Sequence, residues 1–235
     1  MHPSAMKNGE YFFQRYMRYV KSDAPVKVVD IGAQNVNGSL REVCPQGCEY
    51  IGVDFVAANG VDVILDDPYT LPFADNSIDV VVSSSCFEHS EMFWVLFLEV
   101  LRVLKPHGLF YLNAPSNGAF HRYPVDCWRF YPDSGKALIS WAKRNNYNSL
   151  LLESFVSYQK VECWSDFVAV FVKDAPAQLH YPERMFSGRT DIENVHVANH
   201  DKIINFSEKT EDLRNISAMQ KQLAQVRNVL DKREQ

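Results

Sequence analysis

Between His121 and Tyr131 the chain gathers His121, Arg122, Tyr123, Asp126, Trp128, Arg129 and Tyr131. That set can do chemistry. His121 can act as a general base, while Asp126 can orient it or take the proton itself. Trp128 and Tyr123 offer faces to a bound ring, and Arg129 can pair with a carboxylate or phosphate. His89 is a second base candidate, with helix capping as its bland alternative. The bland reading of the loop itself is an Asp126–Arg129 salt bridge with Trp128 plugging the core. A polar, aromatic-rich loop at the mouth of a sheet more often binds than merely connects.

A second group of residues sits where predicted strands end. The segment VVDIGAQNVNGS, Val28 to Ser39, reads as a strand ending at Asp30, then Gly32, then a loop closed by Gly38 and Ser39. Gly32 would let the backbone approach a ligand, and the helix expected after the loop would offer N–H groups to an anion or carboxylate. Asp30 has an equal claim to organising the loop. The next strand, EYIGVD, ends at Asp54, whose carboxylate can accept hydrogen bonds from both hydroxyls of a ribose. A glycine turn followed by an acid suits a nicotinamide-binding fold as well, although G-x-G-x-x-G is missing.

The stretch from Asp67 through LPFADNSIDVVVSSSCFEH (Leu71 to His89) to EVLRVLKPHGLFYLNAPS (Glu99 to Ser116) is far more specific. It resembles class I methyltransferases of the group often labelled type 11, over roughly Tyr11 to Lys173. The resemblance implies a doubly wound, mostly parallel, seven-stranded Rossmann-like α/β sheet and S-adenosylmethionine as cofactor. It further implies that Gly32 and its loop hold the methionine part, Asp54 the ribose and Asp67 the adenine amine, with Ser84 or Ser85 near the methionine. Asp30, Ala33, Gln34, Asn37, Phe55 and Asp66 complete the expected cofactor-binding set. One departure is Gln34, where the group has a second glycine. The loop pattern H-x-x-P-x-D-x-W-R, His121 to Arg129, is similar to that of methyltransferases of bacterial surface-polysaccharide and glycan synthesis. This implies a sugar or glycan hydroxyl as acceptor, with Tyr123, Trp128 and Arg129 binding it and His121, Asp126 or His89 catalytic. Other readings are another small-molecule or lipid acceptor, a non-catalytic cofactor-binding scaffold, and a nicotinamide-dependent oxidoreductase.

Positioning these groups requires alternating strands and helices. Strands are predicted at Val26–Ile31, Glu49–Val53, Val61–Leu65, Ile78–Ser83, Leu109–Asn113, Leu150–Ser157 and Asp166–Lys173, from apolar runs bounded by turn residues. Apolar spacing of three and four predicts helices at Gly9–Val20, Met92–Leu104 and Pro132–Asn145. Lys105-Pro106-His107-Gly108 is a stop signal for the second of them. Residues 1–175 are therefore read as the domain and 176–206 as a surface connector. In residues 207–235, Ile216, Met219, Leu223, Val226 and Leu230 form the a/d stripe of a short coiled coil through which the chain is expected to self-associate.

A hydrophobic fraction of 46% against 23% charged residues excludes a disordered chain, and a net charge of -5 argues against gripping a nucleic-acid backbone. No apolar run spans a membrane, and the first residues do not read as a leader, so a cytoplasmic protein is expected. Cys44, Cys48, Cys86, Cys127 and Cys163 read as reduced thiols, and the Cys44/Cys48 spacing lacks a matching pair, so no metal is expected.

Overall fold

Burial explains the central strands. In Ile78–Ser84 every residue is buried, and successive side chains point into two different cores. Val81 lies in one core and Val80 and Val82 in the other, as an α/β sheet covered on both faces demands. The computed structural model describes residues 2–158 and 164–231. The elements are α1 (Pro3–Tyr16), β1 (Lys27–Ile31), β2 (Glu49–Asp54), β3 (Val63–Ile64), β4 (Ile78–Ser84), α2 (Phe93–Val103) and β5 (Leu104–Pro115). They continue as α3 (Ser134–Arg144), β6 (Leu150–Ser157), β7 (Asp166–Val172), β8 (Ile192–Val197), β9 (His200–Ile204) and α4 (Glu211–Asp231). The nine strands form one sheet in the order β3-β2-β1-β4-β5-β7-β6-β8-β9. β1 to β5 pair parallel and the remaining pairs are antiparallel. Helices α2 and α3 cover one face, with Phe97, Val100, Leu101 and Leu138 in its core. α1 covers the other through Phe12, Phe13 and Tyr16.

β1 and β4 are neighbours, but the chain leaves β1 toward β2 and leaves β4 toward β5. The connections after these strands diverge and open a crevice at their carboxyl ends.

Three expectations change. The sheet has nine strands rather than seven, because residues expected to be a surface connector supply β8 and β9, with β8 antiparallel to β6. Its sequence, IENVHV, hides the strand by placing polar residues at buried positions. Those residues are paired: Glu193 accepts from both terminal nitrogens of Arg214, at 2.6 and 3.0 Å, and Asn194 exchanges two hydrogen bonds with the backbone of Ser207. The loop after β1 leads not to a helix but to a single 3-10 turn, Leu40–Glu42, closed by a Ser39/Glu42 capping box, so that turn offers no free anion site. In α4, Leu213, Ile216, Met219, Leu223 and Val226 stay half exposed or more, and no second helix covers them among the described residues. Leu230 and Cys163 lie outside the described side chains. No helix among the described residues is long and apolar enough to cross a membrane.

Candidate active site

Gly32 has a left-handed backbone, φ +78, and a Cβ there would come within 2.5 Å of Cys86 Cβ and 2.7 Å of its Sγ. The glycine is thus required by the close approach of the loops after β1 and β4. Gly32 and Ala33 donate their N–H groups to Val53 O at 3.0 and 3.2 Å, tying the first loop to the end of β2. Asn35 N–H reaches Asn59 O at 2.8 Å, and Asn35 Oδ1 accepts from Gly38 N–H at 2.9 Å. Gln34 is half-buried and donates its N–H to Asp54 Oδ2 at 3.4 Å, whereas Asn37 is exposed at the loop tip.

Asp54 is buried, and its Oδ1 accepts from Phe55 N–H at 2.8 Å. Among the described residues its Oδ2 has only the long bond from Gln34, which leaves it able to accept ligand hydroxyls. Phe55, half exposed, borders the crevice beside it. Asp30 plays a different part. It is buried beneath Tyr50, whose hydroxyl donates to it at 2.7 Å, and burial pushes its carboxyl up to about 7. Asp67 is exposed and closes its own turn, accepting from Tyr69 N–H at 3.0 Å and Thr70 Oγ1 at 2.8 Å, bonds that hold its carboxyl below the usual range. Asp66 beside it is exposed and makes no side-chain hydrogen bond among the described residues.

β4 ends at Ser84, whose buried Oγ has no partner among the described residues. Ser85 then turns the chain in a left-handed conformation, φ 54, with its N–H on Asn113 O. Next comes the 3-10 turn Phe87–His89. The segment after β5 folds back onto this turn: Cys127 and Trp128 donate their N–H groups to Glu88 O at 2.8 and 3.2 Å, and Trp128 Nε1 donates to Ser90 O at 2.9 Å.

The fold therefore brings together what the sequence separates by 32 positions. The His89 and His121 rings meet edge to face, 5.0 Å apart, and Glu88 Oε1 lies 3.7 Å from His89 Nε2. His89 Nδ1 sits 2.5 Å from Val125 O, so it carries the proton and Nε2 keeps its lone pair. Burial lowers the pKa of His89, which keeps the ring neutral at pH 7. Glu88, 1% exposed, was not foreseen as a site residue. Its only sequence signal was its place before His89 at a strand end.

Asp126 and Arg129 turn out to brace the loop. Arg129 grips Asp126 with both terminal nitrogens at 2.5 and 2.8 Å and also donates to Ala119 O and Trp128 O. Asp126 Oδ2 accepts from the His121 N–H at 2.7 Å. The Arg129 guanidinium holds the Asp126 carboxyl down to about 2, and the brace engages both terminal nitrogens of Arg129. Trp128 packs edge-on against Phe93 and Trp94, centroids 5.4 and 5.7 Å away, yet stays 37% exposed, and the exposed Tyr123 ring lies 6.5 Å from that of His89.

An adenosyl sulfonium fits these residues on the structure's own terms. The orphaned Ser84 Oγ, the accepting Asp54 Oδ2 and the left-handed Gly32 loop all stand at the carboxyl ends of β1, β2 and β4.

Residues 11–112 match the family described as "Methyltransferase domain" (Methyltransf_11). A relative in Mycobacterium avium, an uncharacterized methyltransferase, is 31% identical over 129 residues, 47% of this chain and 51% of that one. The chain thus spans about half the length of that relative. Among solved structures, the chain is similar to the Burkholderia thailandensis 1,6-didemethyltoxoflavin-N1-methyltransferase, solved with 1,6-didemethyltoxoflavin and S-adenosylhomocysteine (TM-score 0.55, 14% identity, 73% of this chain and 79% of that one). It is also similar to the CurJ carbon methyltransferase (TM-score 0.51, 16% identity, 72% of this chain and 54% of that one). Sequence match and fold likeness point the same way: residues 11–112 resemble a methyltransferase domain, and the fold is similar to that of a methyltransferase solved with S-adenosylhomocysteine.

Proposed function

We propose that the chain is an O-methyltransferase whose acceptor is a hydroxyl of a sugar or glycan. The fold alone does not choose the acceptor atom, since by their names the two similar structures act on nitrogen and on carbon. The observation that favours oxygen is the Glu88, His89 and His121 cluster, built on the turn that leaves the crevice at β4. A hydroxyl must lose its proton as it is methylated, and this cluster is where the proton is taken. Bound S-adenosylmethionine supplies an electrophilic methyl group. The chain's own residues do the rest: Asp54 and Asp66 fix the nucleoside, Ser84 and the Gly32–Asn37 loop the amino-acid end, and Trp128 and Tyr123 the acceptor ring. Asp126 and Arg129 position His121 by bracing its loop. Alignment of donor and acceptor accounts for much of the rate in such a displacement.

Labelled S-adenosylmethionine offered with hexose, deoxyhexose and uronate acceptors tests this reading. Methylated sugar is expected from the wild type, with kcat reduced about 10²–10⁴-fold in His89→Ala and His121→Ala. Transfer only to amines, or full activity in both variants, would remove the oxygen acceptor from consideration.

A second reading concerns the tail. We propose that α4 pairs with a second copy of itself through Ile216, Met219, Leu223 and Val226, the exposed stripe left on a helix whose first turns are fixed to the body by Arg214–Glu193 and Asn117–Asp212. In sedimentation, replacing Met219 and Leu223 by Glu is expected to shift the protein to monomer; an unchanged mass distribution would refute the pairing.

A further inference from the structure

We propose that Glu88, His89 and His121 form a binding site for a divalent first-row cation of the Mn²⁺ to Zn²⁺ range. Each offers one ligand atom, and the three atoms lie within 4.8 Å of one another. Two imidazoles and one carboxylate are a donor set that selects such ions over Mg²⁺ or Ca²⁺, which prefer oxygen throughout. With ligand bonds of about 2.0–2.2 Å, the 3.7 Å between Glu88 Oε1 and His89 Nε2 already suits two neighbouring ligands. His121, 38% exposed, is free enough to close the remaining gap.

Independent features of the surroundings point to a cation. The Glu88 side chain is 1% exposed, and its Oε2 is buried with no hydrogen-bond partner among the described residues. A buried carboxylate oxygen left in that state is costly unless a cation or proton meets it. The nearest guanidinium, Arg129, is committed to Asp126, and Asp126 and Asp166 add negative charge to the surroundings. Both imidazoles are set up as ligands from behind. His89 Nδ1 is engaged by Val125 O at 2.5 Å. His121 Nδ1 lies 3.2 Å from Ala119 O and 3.4 Å from both Asp126 Oδ2 and Arg129 Nη2, contacts that orient the ring from behind. Such outer hydrogen bonds fix the tautomer and orientation of metal-bound histidines.

With three protein ligands the ion keeps open positions for oxygen. With the ion bound, the three side chains would serve as its ligands in place of acting as the base, and an acceptor hydroxyl on the ion would have its pKa lowered and lose its proton to solvent. This use of the ion rests on the methyl-transfer reading above, whereas its binding does not.

The test uses full-length protein stripped with EDTA and dialysed. Calorimetric titration with MnCl₂ and with ZnCl₂ is expected to show one site, weakened at least about tenfold in His89→Ala, His121→Ala and the isosteric Glu88→Gln, and unchanged in His107→Ala, whose ring lies instead against His180. Near-UV circular dichroism checks that each variant is folded, and Co²⁺ gives a visible d–d band in the wild type that His121→Ala loses. Absence of saturable binding of either ion below 1 mM, or equal affinity in all three site variants, would overturn the site. S-adenosylhomocysteine binding by the stripped protein is expected to persist, which separates the two outcomes: loss of that binding strikes at the methyltransferase reading, whereas sugar methylation at full rate in EDTA strikes at the ion's role alone.

Discussion

Gly32→Val is expected to abolish S-adenosylhomocysteine binding, with a loss of at least 100-fold in calorimetry, and to lower the thermal midpoint by about 10 °C. Two effects add. A β-branched residue at φ +78 carries backbone strain of about 1–3 kcal/mol, and a Cβ 2.5 Å from Cys86 Cβ forces overpacking worth about 1–3 kcal/mol more. For a chain of this size each kcal/mol corresponds to roughly 2–4 °C. Because Gly32 and Ala33 are tied to Val53 O, relief of the clash has to move the loop away from β4 or from β2, and both lines of contact define the crevice. Gly47→Ala is the control: its φ is +86 but nothing lies within 4 Å of the new Cβ, so strain acts alone and ligand binding should not change. Equal binding by Gly32→Val would mean that the ligand lies elsewhere.

Asp126→Ala is expected to reduce kcat/KM about 100-fold and stability by about 1.5–3 kcal/mol, the range for hydrogen bonds to a charged partner. It frees the His121 backbone N–H and strips Arg129 of its carboxylate, so the loop that carries His121 loses its brace. Lysine at 129 should not restore the activity of Arg129→Ala, since the pairing is two-pronged. The Asp126→Ala/Arg129→Ala double variant should lose little beyond Asp126→Ala, as members of one network are not additive; additive losses would show two independent roles. The pH dependence has a definite sign. The folded carboxyl sits at about 2, below its ordinary 3.8, so its stabilising share is complete above 3.8 and is lost as pH falls toward 2. Acid unfolding of Asp126→Ala should therefore lack this component, measured as a flatter stability profile between about pH 4 and 2.

The order of strands and helices along the chain was legible from sequence because period and turn residues are local. All seven predicted strands recur in the sheet, as do the helices near Met92–Leu104 and Pro132–Asn145, since a buried parallel strand must be an apolar run and a covering helix must repeat every three to four residues. Gly32 was recognisable as special, although the close contact that requires it, with Cys86, joins two loops far apart in sequence. β8 was not legible because Glu193 and Asn194 are buried through partners supplied by α4 and by Ser207, and burial by pairing leaves no hydrophobic signature. The same reason hid the candidate site's centre. Periodicity reports which face of an element is apolar, not which loops meet, so the pairing of Asp126 with Arg129 and the meeting of Glu88, His89 and His121 were set only when the loop after β5 folded onto the turn after β4.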